Sequence, residues 1–286
     1  MSKRGKNFNN LAIQPDIITS NGRVYFTDGT NDNINPNQKQ CEAYGYRYNN
    51  ETGICSAFVP TSSLNNSFAN ETNRITGAGN NMGNAVNNTR VIGYDNRVVG
   101  NSNNNLIVGN GNQLDFQTSN CQVFGTFAEA TATNSIVLGG NNLATDTLGE
   151  RQNITLMYGW QTTDNSTVDA YLNNTSGKYF TVPTNSVIYF QSETVAVRVG
   201  GTSGSGAVGD FKSWVERGVV KNAAGTLSID RSRTSPADSG TTSGWSPINA
   251  VSGTNFRQTV KGATNMTIEW ASTIRITQIK TGVTLS

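Results

Sequence analysis

Apolar residues are spaced along this chain in two different rhythms. From about residue 72 to 148 they come in short runs pinned between asparagine and glycine, as with Leu106, Ile107 and Val108 in NNNLIVGNGN. Aligned on glycine, five segments fall into phase: NRITGAGNNM, TRVIGYDNRV, NLIVGNGNQL, CQVFGTFAEA and SIVLGGNNLA. Their glycines, Gly77, Gly93, Gly109, Gly125 and Gly139, are spaced 16, 16, 16 and 14 residues apart. Two places before each glycine stands Ile75, Val91, Ile107, Val123 or Val137, and five places after it Met82, Val98, Leu114, Ala130 or Ala144. Asn80, Asn96, Asn112 and Asn142 follow the glycine by three, with Ala128 the exception, and Asn88, Asn104, Asn120 and Asn134 precede it by five.

Three or four strand formers are too few to make a stable strand alone. A period of about 16 with two short apolar segments and two turns instead predicts one coil of a β-solenoid. Each strand there pairs with its equivalent in the next coil, about 4.8 Å away. Glycine supplies positive φ at a corner, asparagine tolerates it, and stacked asparagines form ladders. The asparagines are therefore read as structural. One or two small side chains per coil bury little, and the second inward column shrinks to Ala130 and Ala144, so closure against further copies is expected.

The second rhythm is strict alternation beyond residue 150. In TNSVIYFQSETVAVRVGG, Val195, Val197 and Val199 share one face, and Thr194, Ala196 and Arg198 the other. FKSWVERGVVKNAAGTLSID reads as two strands joined at Gly225. MTIEWASTIRITQI sets Ile268, Trp270, Ser272, Ile274 and Ile276 against the residues between them. Such spacing predicts an antiparallel sandwich or barrel with Trp214, Trp245 and Trp270 in its core.

Composition supports the division. Of 39 asparagines, 30 precede residue 143, only 14% of residues are charged, and the formal net charge is +2. That balance gives no reason to expect a nucleic-acid partner; Lys3, Arg4 and Lys6 form the one basic cluster and read as a solvated tail. No apolar run approaches the roughly 20 residues needed to cross a bilayer, and MSKRGKNFNN lacks the apolar centre of a signal peptide, so no membrane insertion is expected. Cys41 and Cys55 bracket EAYGYRYNNETGI and would face each other across a hairpin, as a disulfide or as two thiols. With no histidine and no zinc-spaced cysteines, neither a metal nor another cofactor is expected.

The motif N-x-apolar-[VI]-x-G-x-x-N over residues 72 to 148 resembles the head repeat of trimeric autotransporter adhesins of the YadA type, a trimeric β-roll. Phage fibres and appendages use the same repeat. VKGATNMTIEWASTI, within a match over about 187 to 280, resembles the closing strand of the small β-domain near the C-terminus of phage fibre proteins. The resemblance implies an all-β homotrimer: an N-terminal virion-docking segment (1–60), a linker (61–71), a β-solenoid shaft (72–150) and a C-terminal sandwich or barrel at the tip (151–286). Its N-terminal segment would dock to head, neck or tail proteins of the virion. That segment has too few apolar residues for a core of its own and should order only against a partner.

Catalytic systems that need histidine are excluded, leaving carboxylates of the kind used on polysaccharide. Asp210, Glu216, Asp230 and Glu269 read as solvated positions on strands or turns, with Glu129, Asp146 and Glu150 as the acids of the solenoid region. GGTSGSGAVGD lacks the lysine of a phosphate loop. The expectation is a structural fibre without enzymatic activity, made in the host cytoplasm and carried on the virion. RSRTSPADSGTTSGW (231–245) would project as a loop whose Arg231, Arg233, Asp238 and Trp245 bind a host-surface glycan or protein. A depolymerase tailspike and a purely decorative capsid fibre are the alternatives.

Overall fold

The computed structural model describes residues 6–8, 11–19, 22–57, 73–140, 148–202 and 206–286. The linker assigned to 61–71, Lys3, Arg4, Asn142, Ala144, Asp146 and residues 203–205 of the glycine-rich stretch lie outside the described residues. The chain divides into two compact units, to Glu71 and from Thr72.

The first unit opens with a three-stranded antiparallel sheet, β1 (Lys6–Phe8), β2 (Leu11–Ile18) and β3 (Val24–Thr27). A short helix, α1 (Gln38–Ala43), follows; Asn37 caps it through the Gln40 backbone N–H, and the Gln40 side chain accepts from the Asn37 N–H. The hairpin β4 (Arg47–Asn49) and β5 (Ile54–Ser56) completes the unit. Cys41 lies on α1 and Cys55 on β5, so the disulfide they form ties helix to hairpin and does not bridge two hairpin strands. The expectation that this region has no core of its own is corrected. Ile13, Val24, Phe26, Cys41 and Cys55 are buried together, with Tyr44 and Tyr46 edge-on to Phe26 and the Tyr44 hydroxyl donating to the Ile13 carbonyl. Tyrosines rather than aliphatic residues close this core, and the disulfide strengthens it; a count of aliphatic positions misses both.

In the second unit the repeat becomes a β-solenoid of about four turns. Successive coils contribute β6 (Arg74–Thr76) and β7 (Asn81–Met82), β8 (Arg90–Tyr94) and β9 (Arg97–Val98), β10 (Leu106–Asn110) and β11 (Gln113–Leu114), β12 (Gln122–Thr126) and β13 (Glu129–Ala130), then β14 (Ser135–Gly139). Even-numbered strands stack in one parallel sheet and odd-numbered strands in another. The register aligns Ile75, Val91, Ile107, Val123 and Val137, and separately Gly93, Gly109 and Gly125. Four of the five aliphatic residues are buried and Ile75, in the first coil, is partly exposed.

Backbone stacking explains the glycines. At Gly93 (φ +126°) and Gly109 (φ +135°) the chain is in the left-handed region, and a Cβ would sit 1.9 Å from the carbonyl oxygen of the equivalent glycine in the next coil. Gly139 differs: its φ is outside that region and it is held to glycine by space alone, a Cβ meeting the Thr126 oxygen at 2.4 Å. Asn88, Asn104, Asn120 and Asn134 take the other left-handed corner, at φ +47° to +63°.

Inside, the asparagines satisfy one another. Asn96 Nδ2 donates to Asn80 Oδ1 (2.9 Å) and the Gly109 carbonyl (2.9 Å), while Asn96 Oδ1 accepts from the Asn112 backbone N–H (3.1 Å) and Asn112 Nδ2 (3.0 Å). All three side chains are buried with their donors and acceptors paired along the stack. Ala128 ends the ladder, its N–H donating to Asn112 Oδ1.

The solenoid passes into the C-terminal region without a break in the sheet. β14 pairs antiparallel with β15 (Arg151–Thr162). The rest of the chain adds β16 (Thr167–Leu172), β17 (Phe180–Thr181), β18 (Ser186–Gly200), β19 (Phe211–Ala223), β20 (Thr226–Ser239), β21 (Ser246–Ser252), β22 (Asn255–Lys261) and β23 (Thr267–Lys280). Strands β15, β23, β18, β19 and β20 form the large sheet in that order, and β22 pairs with β16, β17 and β21 in a smaller one. This is a sandwich. Tyr158, Phe180, Phe190, Phe256, Trp214, Trp245 and Trp270 fill it, Trp214 stacked on Trp270 at 5.6 Å. Each such ring is worth about 2–3 kcal/mol when fully buried.

The buried face of β18 runs from Ile188 and Phe190 to Ser192, Thr194, Ala196 and Arg198 and so turns polar in its second half, while Val195 and Val199 are exposed. The polar interior is answered from the opposite sheet: Gln258 Nε2 lies 3.0–3.4 Å from Ser272 Oγ, Thr194 Oγ1, Ser192 Oγ and Asn249 Oδ1.

Candidate functional site

Arg231, Arg233, Asp238 and Trp245 are not gathered on a loop. Residues 231–239 belong to β20, an edge strand paired only with β19, and Trp245 is a core residue, 3% exposed and 6.4 Å from Trp270. The expectation that Trp245 meets a receptor is corrected: the Ser-Gly-rich sequence before it masks a ring drawn inward by the other tryptophans. Arg231 Nη1 donates to Glu216 Oε1 at 2.9 Å, and Arg233 Nη1 donates to Ser246 Oγ and to the Pro247 carbonyl. Asp238 lies 3.4 Å from Lys212.

Arg231 and Arg233 do line one recess of about 440 Å³ with Glu216, Ile229 and Ile248. Glu216 is 2% exposed, not solvated as its phase suggests, and accepts from Asn249 N–H and Nδ2 as well as Arg231. Strand alternation turns Asp230 to the opposite face, since it pairs with Val219 while Arg233 pairs with Glu216. Asp210 closes a loop by accepting from Ala207 and Thr241 N–H, and Glu129 pairs with Lys280 at 3.1 Å. Among the described residues no cluster of three or more metal-ligating side chains occurs.

A larger recess, about 560 Å³, opens on the outer face of the large sheet, where Gln161, Val195, Val197, Glu269 and Ala271 point, with Asn174 beside it; Trp160 and Trp270 border it from the inward side of the sheet. Sequence reasoning missed it. Trp160 sits where the inward phase of β15 reaches the sandwich's end, half-buried and edge-on to Tyr171 at 4.8 Å. Asn174 comes from the turn after β16, a position that no strand pattern marks.

The other surface feature is an apolar row on the outer side of the solenoid sheet. Ile92, Val108, Phe124 and Leu138 stack in register, partly or fully exposed. By strand register the row continues through Asn153 and Thr277 to Tyr189 and Val219, 44% and 41% exposed.

No protein-family model matches the chain, and no curated protein matches it in sequence. Among solved structures its likenesses include phage tailspikes. They include the tailspike of Acinetobacter baumannii phage AM24, at 7% identity and TM-score 0.28 over 74% of this chain and 51% of that one. Tailspike gp49 of A. baumannii bacteriophage Fri1, described as a capsular polysaccharide depolymerase, matches at 9% identity and TM-score 0.26 over 74% and 48%. The tailspike of Acinetobacter phage vB_ApiP_P1 matches at 10% identity and TM-score 0.20 over 72% and 49%. The chain thus spans about half the length of these tailspikes. At these scores the likeness carries no argument about the chain's chemistry. The expectation of a chain without enzymatic activity is nonetheless withdrawn, because a tailspike described as a depolymerase stands among these structures.

Proposed function

We propose that this chain is a fibre or tailspike protein of a tailed bacteriophage, carried on the virion as a homotrimer. Its solenoid is the shaft, its disulfide-closed first unit meets the particle, and its C-terminal sandwich meets the host surface. The observation that carries the reading is the outer row Ile92, Val108, Phe124 and Leu138. A solenoid that stands alone in water has no need of aliphatic and aromatic side chains stacked outward along its length, whereas a shaft closed by copies of itself does. Sequence resemblance of the repeat and of the closing strand to phage fibres supplies the setting.

Antibody raised against the full chain tests it. Gold label at fibres or spikes of purified particles, with purified protein competing for host adsorption, is the expected result. Label on no particle component would overturn the reading. Incubating the protein with host-surface polysaccharide reads its second form, a depolymerase, by whether the glycan is shortened or only bound.

A further inference from the structure

We propose that the first unit is a redox-gated docking module, open while Cys41 and Cys55 are thiols and closed into its binding fold by the disulfide between them. The inference rests on the reading above that this unit meets the particle, and it adds how that contact is regulated.

The elements of the unit are too short to stand alone in water. Helix α1 has six residues, and the two strands of the hairpin β4–β5 have three each. Apart from the two half-cystines, the buried apolar side chains of its core are Ile13, Val24 and Phe26. A core this small is usually completed by a disulfide, a metal or a partner. Among the described residues no metal-ligating cluster occurs, and the disulfide is present.

The bond also sits at the joint of the unit. The Cys41 carbonyl accepts from the Tyr44 N–H (3.2 Å) and the Tyr46 N–H (3.3 Å), so the turn that brings both rings to Phe26 hangs from this residue. Cys55 is the middle residue of β5, opposite Tyr48. Beyond the disulfide, the hairpin meets the three-stranded sheet through Arg23 opposite Ser56 and through Ala57 N–H to the Gly22 carbonyl, where Arg23, Ser56 and Ala57 are half-buried. With two thiols in place of the bond, α1 and β5 are free to part, and the chain regains the freedom that the closed loop removes.

Closure is a thiol–disulfide exchange. One cysteine thiolate attacks glutathione disulfide and releases one glutathione thiolate; the other cysteine thiolate then displaces the second glutathione from the mixed disulfide. Two protein thiols lose two protons and two electrons, and glutathione disulfide becomes two glutathiones. Reversal is slow once the unit has closed, because Cys41 and Cys55 are 0% and 1% exposed and an attacking thiolate does not reach the sulfurs. A reducing compartment keeps the unit open; an oxidising medium closes it, and burial keeps it closed. The second unit takes no part, since the remaining cysteine, Cys121, is a free buried thiol.

The test uses the full chain, denatured and reduced, then refolded with either reduced glutathione or glutathione disulfide. After glutathione is removed, the chain refolded under reducing conditions should take iodoacetamide at Cys41 and Cys55 at least a hundredfold faster than at Cys121. Trypsin should cut it after the exposed Lys39 and Arg47 at least tenfold faster than the oxidised chain, with equal cutting beyond residue 73. Adding glutathione disulfide should restore resistance. The double variant Cys41→Ala, Cys55→Ala should be cut fast in either buffer, which separates loss of the bond from the change of buffer. Cys41 and Cys55 as shielded as Cys121 in the reduced chain, or a trypsin-resistant double variant, would overturn the gate. Particles made without this chain should bind the closed form at least tenfold better than the open one, and equal binding of both would overturn the gating of docking. Binding of neither form, with the labelling and trypsin differences intact, would leave the gate standing and remove the docking reading.

Discussion

The solenoid and the sandwich share one continuous sheet and bury polar side chains in opposite ways. In the solenoid the buried column Asn80, Asn96 and Asn112 is answered by the same residue one coil away, so a single choice made at Asn80 serves again at Asn96 and Asn112. In the sandwich the buried polar groups meet particular, non-repeating residues: Gln258 of the opposite sheet lies beside Ser192, Thr194 and Ser272, and Glu216 is met by Asn249 of that sheet and by Arg231 of the neighbouring strand. Repetition solves satisfaction by stacking; a non-repetitive core solves it case by case. The first solution is visible as a period, and a defect in it is met again by the neighbouring coil.

Glycine substitutions should separate the regions most. Gly109→Val places a side chain against the Gly125 carbonyl in a left-handed conformation and should cost about 4 kcal/mol or more. Gly225→Ala in the sandwich meets nothing within 4 Å and carries only the strain of φ +98°, about 1–2 kcal/mol. Denaturation midpoints of the two variants should therefore differ widely, and equal losses would refute the close coil contact.

Removing one buried amide from each region comes next. Asn96→Leu strands the Gly109 carbonyl and the Asn112 N–H and should cost about 3 kcal/mol. Gln258→Leu should cost about 1–2 kcal/mol, because Ser272 already lies 2.8 Å from Thr194 and 3.1 Å from Ser192, leaving the hydroxyls partners among themselves. A larger loss for Gln258→Leu in thermal melts would reverse the comparison.

The same contrast explains what the sequence reveals. Gly109 and Ile107 recur in phase, so the coil, its register and its asparagine ladder are legible from residue spacing alone. Alternation in β18 gives the period but not the side: Gln258, more than sixty residues after Thr194, supplies the partner that lets Thr194 go inside. Glu216 is hidden for the same reason, since its partners Arg231 and Asn249 come from two later strands. Asn174 reaches Gly159 through a turn of two left-handed asparagines, which no spacing rule places beside a strand end.

The smallest effect expected is none. Cys121 is buried in the solenoid, its thiol pushed above the ordinary value first by burial, so it stays protonated at pH 8. Iodoacetamide should leave it unmodified in the native protein and label it after denaturation. Fast native labelling would mean that the coil opens where the sandwich does not.

The solenoid's inner columns are complete within one chain, while its outer row keeps Ile92, Val108 and Phe124 half-exposed and Leu138 exposed. Closure of that row by two further copies is therefore the claim to measure, by the native mass of the purified chain under light scattering. The expected result is a concentration-independent species of three times 30.6 kDa. A stable species of 30.6 kDa at micromolar concentration would contradict the trimeric shaft.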